Sequence, residues 1–554
     1  MAPMQRRIGR LFALFVLLLV VAAGRSLYLG AYKAGGLRQV ALSEQLSTVK
    51  VPAVRGTIFD RAGLPLAVSE PADDVSATPY LVRDPNSAAR LLAPLLGTTP
   101  EAVLPKLTAR GTGFVYLGRR VPDRRGRAIA ALHIPGIDLT PVGLRGYPNG
   151  PLASQVLGTV GLDGQGLSGL EYSEDRVLRG SDGRRRVVTD ALGGPISVQD
   201  VKPARAGAPI GLTLDAGLEN YVEDTLSQVG AAFSPTGATA IVMDPRTNAI
   251  LAMANWPRVD ANDVGGAPVS ARDNHAVSMN YEPGSTFKIV TVAGALEDGL
   301  VTPDTSFYLP PELKFYDRLI HDAEPRGPVT LTTAEILAQS SNIGAIRIGL
   351  LLGRDRFDRW VRNFGFGTPT GAELPGEETG IVPRVSQYSG SSMGNLPIGQ
   401  GESVTPLQLA TAYAAIANGG TLRPPHIVAS VGGRPVSPAR GRRVLSPAVA
   451  GAVRQMLEGV LAPGGTASEV SIPGYQLAGK TGTANKVDPV NGGYSSTRYV
   501  ASFVGFAPAR DPKLLVAVVV DEPKGGSYSG GQVAAPAFGK IMSFALPYLK
   551  IPPG

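Results

Sequence analysis

An α+β fold behind an N-terminal membrane helix is what this sequence predicts, and three observations predict it. Arginines precede an apolar run at the N-terminus, strand patterns sit at both ends of the region after residue 206, and helical patterns fill its middle. Hydrophobic residues are 44% and charged residues 18% of the 554, which excludes a disordered or low-complexity chain. Cysteine is absent. That excludes a disulfide scaffold, a Cys-ligated zinc or iron–sulfur centre, a cysteine nucleophile and a lipidated-Cys anchor. The net charge of +8 is unevenly spread. Residues 1–205 carry 26 Lys+Arg against 16 Asp+Glu, and residues 206–554 carry 27 against 29. Two unlike halves follow.

The N-terminal element comes first. Arg6, Arg7 and Arg10 precede the uncharged run Leu11–Gly24, an order that inserts into a membrane with the N-terminus held in the cytoplasm. Fourteen residues alone would suit a signal-peptide core, with Val21 and Ala23 as a cleavage signal. Apolar character resumes after Arg25 with Leu27, Tyr28 and Leu29, so a helix over 11–32 is long enough to span, with Arg25 snorkelling outward. We read residues 1–32 as an uncleaved anchor and the body as exported, which weighs against ATP-dependent chemistry and nucleic-acid binding.

Residues 33–205 are irregular and rich in Gly and Arg. Helices are predicted near Ser87–Leu96 and Asp123–Leu132 from apolar residues at helical spacing. The arginine clusters at 119–120, 124–125 and 184–186 read first as solvated faces or partners of local carboxylates. Lys202–Gly207 reads as a boundary. After it come a strand (Ile210–Leu214), a helix (Ala216–Val229), and a hairpin of Ala238–Asp244 and Ala249–Trp256. A helix is predicted from near Ser285 to Asp298-Gly299. Three further strands (Gln476–Thr483, Tyr499–Ala507, Leu514–Asp521) and a closing helix (Ala534–Leu546) complete one antiparallel sheet with helices packed on it.

Three motifs carry chemistry: Ser-x-x-Lys, Ser-x-Asn and Lys-Thr-Gly. The first two each occur twice, at Ser285–Lys288 and Ser47–Lys50, and at Ser340–Asn342 and Ser278–Asn280. Context separates them. A serine needs a base within reach, and i, i+3 residues share a helix face, so Lys288 can approach Ser285 at a helix start. Burial beside other cations would lower the Lys288 pKa and make it a proton acceptor. Around Ser47–Lys50, Val49, Val51 and Val54 alternate as in a strand, and Pro52 discourages a helix. Ser340-Ser341-Asn342 falls between the helical patterns Thr333–Gln339 and Ile343–Leu352, on a turn able to face a cleft. The Ser278–Asn280 copy lies in the loop approaching Ser285 and reads as turn hydrogen bonding. Lys480-Thr481-Gly482-Thr483 lies on a strand, offering a cation, a hydroxyl and the Thr483 N–H for a developing oxyanion. The three motifs appear in order, 55 and then 140 residues apart.

Other candidates are weaker. Gly164-x-Gly166-x-x-Gly169 matches a dinucleotide fingerprint without its preceding strand and reads as a turn. His133, His275, His321 and His426 show no metal-ligand spacing. Glu282, before Pro283, reads as shaping the turn.

With these motifs the chain resembles class B penicillin-binding proteins, the peptidoglycan transpeptidases. The resemblance rests on Tyr281-Glu282-Pro283-Gly284-Ser285-Thr286-Phe287-Lys288, Ser340-Ser341-Asn342, Gly399-Gln400-Gly401 before Val404-Thr405-Pro406-Leu407-Gln408, and Gly479-Lys480-Thr481-Gly482-Thr483. Arg55–Gly63 looks like the first motif of the family's N-terminal pedestal, with Ala62 where Asn is usual, and Gly169-Leu170-Glu171 like a later one. It implies an anchor (1–32), a pedestal or dimerisation module (33–205) and a transpeptidase domain (206–554). It implies acyl transfer from a stem peptide ending in D-Ala-D-Ala: Ser285 as nucleophile, Lys288 as base, and Ser340 with Lys480 relaying a proton to the leaving D-Ala. Asn342, Thr481 and Thr483 would bind substrate, and the N–H groups of Ser285 and Thr483 would form the oxyanion hole. No metal or organic cofactor is implied, and β-lactams would acylate Ser285. Glu282 and Asn342 resemble the division-specific, septal branch; the elongation branch tends to carry Pro and Asp there. A SEDS-type glycosyltransferase and other divisome membrane proteins are the implied partners, at the inner membrane with the catalytic domain in the periplasm. A serine β-lactamase or β-lactam sensor would share the three motifs, with Glu373, Glu377 and Glu378 in the interval for a deacylating base. A catalytically dead divisome scaffold is the non-enzymatic alternative.

Overall fold

The computed structural model describes residues 2–32, 46–189, 195–488 and 492–553. Helix α1 (Ala2–Leu27) continues as a single wider turn over Tyr28–Tyr32, and Ile8–Gly30 is long and apolar enough to cross a membrane. Every side chain described in that stretch is exposed, as a helix whose apolar surface faces lipid requires.

The chain divides into two compact units that interleave in sequence. One comprises residues 1–54, 71–143 and 180–207; the other comprises Arg55–Glu70, Leu144–Arg179 and Ala208–Gly554. In the first, the strand Val115–Pro122 runs antiparallel to residues 72–77, and helices Pro85–Leu96, Pro100–Leu107 and Asp123–Ala130 bury Leu92, Val103, Leu107 and Ile129 with Leu117 and Val121. Asp84 caps the first of these helices through Ser87 N, Pro85 stands at its first turn, and Gly97 closes it with φ +69°. The strand Leu46–Val51 pairs with Gly183–Thr189, which pairs with Pro195–Lys202, all antiparallel. Ser47–Lys50 is therefore in a strand, and Lys50 pairs with Asp182. Of the basic clusters, Arg185 meets Asp200 and Arg119 meets Asp74, the local carboxylate pairing expected.

In the second unit, the hairpin β1 (Gly237–Asp244) and β2 (Ala249–Trp256) joins β3 (Ala478–Val487), β4 (Tyr494–Ala507) and β5 (Leu514–Asp521) in an antiparallel sheet of order β2-β1-β5-β4-β3. Central β5 is buried from Leu514 to Val520, so helices cover both faces of the sheet. The helices of this unit are α2 (Ala216–Phe233), α3 (Lys288–Glu297), α4 (Asn342–Asn363), α5 (Pro406–Ala417), α6 (Pro447–Glu458) and α7 (Gly530–Tyr548); α2, α5, α6 and α7 pack on the sheet, whereas α3 packs against α4 and α6. Tyr221 of α2 stacks on Phe544 of α7 with ring centroids 3.9 Å apart. The α+β expectation holds. Helices α5 and α6 escaped the periodicity reading. α5 is buried all round and has no polar stripe, whereas α6 does bury Ala450, Val453, Met456 and Leu457 at helical spacing, a signal present in the sequence. α4 breaks at Gly353 (φ +71°), next to the expected end at Leu352.

Arg55 and Arg145 meet on Glu171 in the same unit, at 2.5 and 2.6 Å, with all three side chains buried. Arg55 also reaches Asp175 and donates to Gly164 O. Gly166 N donates to Asp175, and a Cβ at Gly166 would collide with the Glu171 backbone. The apparent dinucleotide fingerprint is thus a tight turn around an ion cluster. Asp60 accepts from Ala62 N and Leu64 N and also caps α2 through Ala216 N. Ala62 contributes only its backbone N–H to that turn, so the missing Asn side chain leaves it intact.

Candidate active site

The turn that carries Ser285 is fixed from several directions. Tyr281 and Val404 exchange backbone hydrogen bonds, and Gly284 N donates to Gly399 O at 2.9 Å. Gly284 has φ +55°, a conformation that ends the approach loop. Residues Gly284–Phe287 then form a 3₁₀ turn, and the α-helix starts at Lys288 rather than at Ser285. Thr286 Oγ1 donates to Pro283 O, Tyr413 Oη of α5 donates to Thr286 O, and Phe287 packs on Phe357 and Phe366. Ser285 is half-buried in the middle of this turn.

Lys288 lies one helical turn further on, fully buried. Its Nζ donates to Ser340 O at 2.6 Å and to Asn342 Oδ1 at 2.7 Å, with Ser340 Oγ at 3.3 Å. Burial pushes the ammonium down to about 7, against a smaller opposing pull from Asp322. Ser340 has φ +59°, which turns its carbonyl and hydroxyl together towards Lys288. Ser341 caps α4 through Gly344 N.

Asp322, just after the hairpin Glu312–Phe315/Arg318–His321, escaped sequence reasoning. Its carboxylate accepts from Asn342 N (2.6 Å), Ile343 N (3.0 Å) and Ser341 Oγ, and pairs with Arg326. These donors and the Arg326 guanidinium hold it below the usual carboxylate range despite burial. His321 O accepts from Asn342 Nδ2 at 2.9 Å. No spacing rule links a loop carboxylate to a motif 18 residues away; only the folded hairpin brings it there.

Strand β3 forms the opposite wall. Lys480 is fully buried, its Nζ within 3.3 Å of Thr481 O, and burial together with repulsion from Lys288 pushes its ammonium well down. Thr481 is buried with its hydroxyl on Thr466 Oγ1 at 2.7 Å. Thr483 Oγ1 accepts from Gly530 N. A Cβ at Gly482 would lie 2.9 Å from Thr286 Cγ2 and 3.0 Å from Pro283 O, and one at Gly284 would lie 3.1 Å from Thr483 O. The backbones of the Lys-Thr-Gly strand and the Ser285 turn are therefore in direct contact.

The remaining candidates sit where a structural role puts them. Glu282 accepts from Gly401 N and Tyr494 Oη, tying the turn to the Gly399–Gly401 loop. Ser278 Oγ donates to Asn274 O. Glu377 accepts from Thr370 N and Glu373 from Ile427 N, while Glu378 takes Asn280 Nδ2. Among the described residues no three His, Asp or Glu side chains converge as metal ligands.

A serine held in a rigid turn, a desolvated lysine three residues on, a hydroxyl-bearing turn and a lysine-bearing strand make a constellation suited to serine acyl transfer. Comparison with known proteins agrees. Residues 238–543 match the penicillin binding protein transpeptidase domain, and residues 50–212 match the penicillin-binding protein dimerisation domain. The chain is 35% identical to the penicillin-binding protein PbpB of Mycolicibacterium smegmatis, over 99% of this chain and 91% of that protein. It is 33% identical to the peptidoglycan D,D-transpeptidase FtsI of Escherichia coli K12, over 99% and 92%. Penicillin binding protein 3 of Mycobacterium tuberculosis, solved with aztreonam, superposes with a TM-score of 0.72 at 32% identity, covering 91% of this chain and 98% of that one. The chain belongs to the penicillin-binding protein transpeptidase family.

Proposed function

We propose that this peptidoglycan D,D-transpeptidase works through a Ser285 acyl-enzyme during septal cell-wall synthesis. The observation that carries the mechanism is Lys288, buried and held by Ser340 and Asn342 one helical turn from Ser285. Ser285 Oγ attacks the carbonyl of the penultimate D-Ala as its proton passes to Lys288. The oxyanion is taken by the N–H groups of Ser285 and Thr483. Ser340, assisted by Lys480, delivers a proton to the departing D-Ala nitrogen. Asn342 holds the donor amide, and Thr481 and Thr483 serve the terminal carboxylate, Thr481 from behind through the contacts it makes with Thr466. The amine of a neighbouring stem then attacks the ester, forming the crosslink and releasing Ser285. A β-lactam enters the same first step, and opening of its ring leaves no departing group to diffuse away.

The domain reading assigns residues 1–32 to a single-pass anchor, 33–205 to the pedestal and 206–554 to the transpeptidase domain. The apolar Ile8–Gly30 helix supports the anchor. Glu282, Asn342 and the similarity to FtsI support the septal branch. A SEDS-type glycosyltransferase is the partner that fits an anchor and pedestal without a polymerising site of their own. The test is fluorescent-penicillin labelling of the wild type and Ser285→Ala, with imaging of the protein in dividing cells. Labelled wild type, unlabelled Ser285→Ala and a mid-cell signal are expected. An unlabelled wild type overturns the acyl-enzyme, and signal along the side wall overturns the septal role.

A further inference from the structure

We propose that Asp322 is a positioning residue for the base: it fixes the Ser340–Asn342 turn that holds Lys288 and supplies the negative charge that keeps the Lys288 proton exchangeable. The inference rests on the reading of Ser285 and Lys288 above. Asp322 gathers the N–H groups of Asn342 and Ile343 and the Ser341 hydroxyl at the start of α4, where a carboxylate also complements the helix dipole. Of the residues so held, Asn342 itself receives Lys288 through Oδ1 at 2.7 Å, and Ser340, whose carbonyl receives it at 2.6 Å, is the chain neighbour of Ser341. Asp322 thus holds one contact of the base directly, at Asn342, and the other through Ser341, the neighbour of Ser340. Its own neighbour, Arg326, pairs with it and also donates to Ser341 Oγ, so the guanidinium moderates the charge that Lys288 feels. The charged groups acting on Lys288 are then Asp322 with Arg326 behind it, from the segment after the hairpin, and Lys480 from β3. Desolvation drives the proton off Lys288 and Asp322 opposes it, while the repulsion between the two lysines acts on Lys480.

This geometry makes two substitutions act with opposite sign. Asp322→Asn retains an acceptor oxygen for the Asn342 and Ile343 N–H groups while removing the charge. Arg326→Gln removes the guanidinium and leaves the carboxylate unshielded. The experiment measures the acylation rate of the full-length, detergent-purified protein by a fluorescent penicillin from pH 5.5 to 9. In Asp322→Asn, the acid limb of the profile is expected to move to lower pH by roughly half a unit or more, with a lower plateau. In Arg326→Gln it is expected to move to higher pH. If both variants lose plateau rate while the acid limb stays in place, Asp322 only braces the turn and the inference is overturned. Should Asp322→Asn fail to fold, the direction of the Arg326→Gln shift decides alone. An unlabelled wild type would overturn the Ser285 reading instead, a result distinct from an unmoved limb.

Discussion

Lys288 is a cation stripped of water and given oxygens in exchange. Its three hydrogen-bond acceptors belong to one turn, which sets its position, while burial sets its basicity. With its pKa pushed to about 7, the deprotonated fraction grows as pH rises through neutrality, and Ser285 becomes acylable over the same range. The acylation rate of the wild type should fall about tenfold per pH unit below pH 7 and level off above it, read by single-turnover labelling. Lys288→Ala should lose acylation by a factor on the order of 10² to 10⁴ and lose the acid limb with it. A limb of unchanged position in Lys288→Ala would assign the titration to another group. At this scale the sequence was legible because Ser-x-x-Lys places both residues on one helix face. Its second copy was separable because strand alternation contradicts that face, and Lys50 indeed lies in a strand against Asp182. Asp322 was not legible, because it meets Ser341, Asn342 and Ile343 only through the folded hairpin, and no spacing rule ties it to them.

Among elements, β3 and the 3₁₀ turn of Ser285 depend on one another. They approach so closely that Gly482 has no room for a Cβ: Ser502 Oγ would lie 2.3 Å away and the Pro283 carbonyl 3.0 Å. A serine hydroxyl can rotate, but the Pro283 carbonyl is fixed by the hydrogen bond it accepts from Thr286. Gly482→Ala should therefore push β3 off the turn and move the Thr483 N–H. An acylation rate lowered at least about 10²-fold is expected, with a stability loss of about 1–3 kcal/mol in urea unfolding. Wild-type acylation in a folded Gly482→Ala protein would show that the strand yields without cost to the site. The Gly399–Gln408 segment shows a related dependence. Gly399 accepts from Gly284, Val404 pairs with Tyr281, and a Thr405–Gln408 capping box starts α5, whose Tyr413 returns to Thr286. The five strands of the sheet and helices α2, α3, α4 and α7 were readable from periodicity, but α5, α6 and the 3₁₀ winding at Ser285 were not. That winding follows from the left-handed φ of Gly284 and contacts made far away in sequence.

At the scale of the molecule, segments distant in the chain close into one catalytic unit. Residues 55–70 and 144–179 cluster with 208–554, and the Arg55–Glu171–Arg145 group joins the first two segments. Removing the central carboxylate leaves the buried Arg145 guanidinium without its carboxylate and Arg55 with Asp175 alone. Glu171→Ala should destabilise this unit by about 3–5 kcal/mol, seen as a lower urea midpoint. An unchanged midpoint would mean that water reaches the cluster. Composition and order alone determined much of this protein. The apolar N-terminal run, the exclusion of a cysteine nucleophile, the α+β class, and the motif order Ser285–Lys288, Ser340–Asn342, Lys480–Thr483 depend on composition and local pattern, which short-range sterics and burial periodicity impose. Tertiary structure alone decided the rest. It interleaved the two units and placed Asp322 under the Ser340–Asn342 turn. It pressed Gly482 onto the Ser285 turn and removed water from Lys288 and Lys480. Each of these is a contact between residues far apart in sequence or a loss of solvent, and neither leaves a periodic signal along the chain.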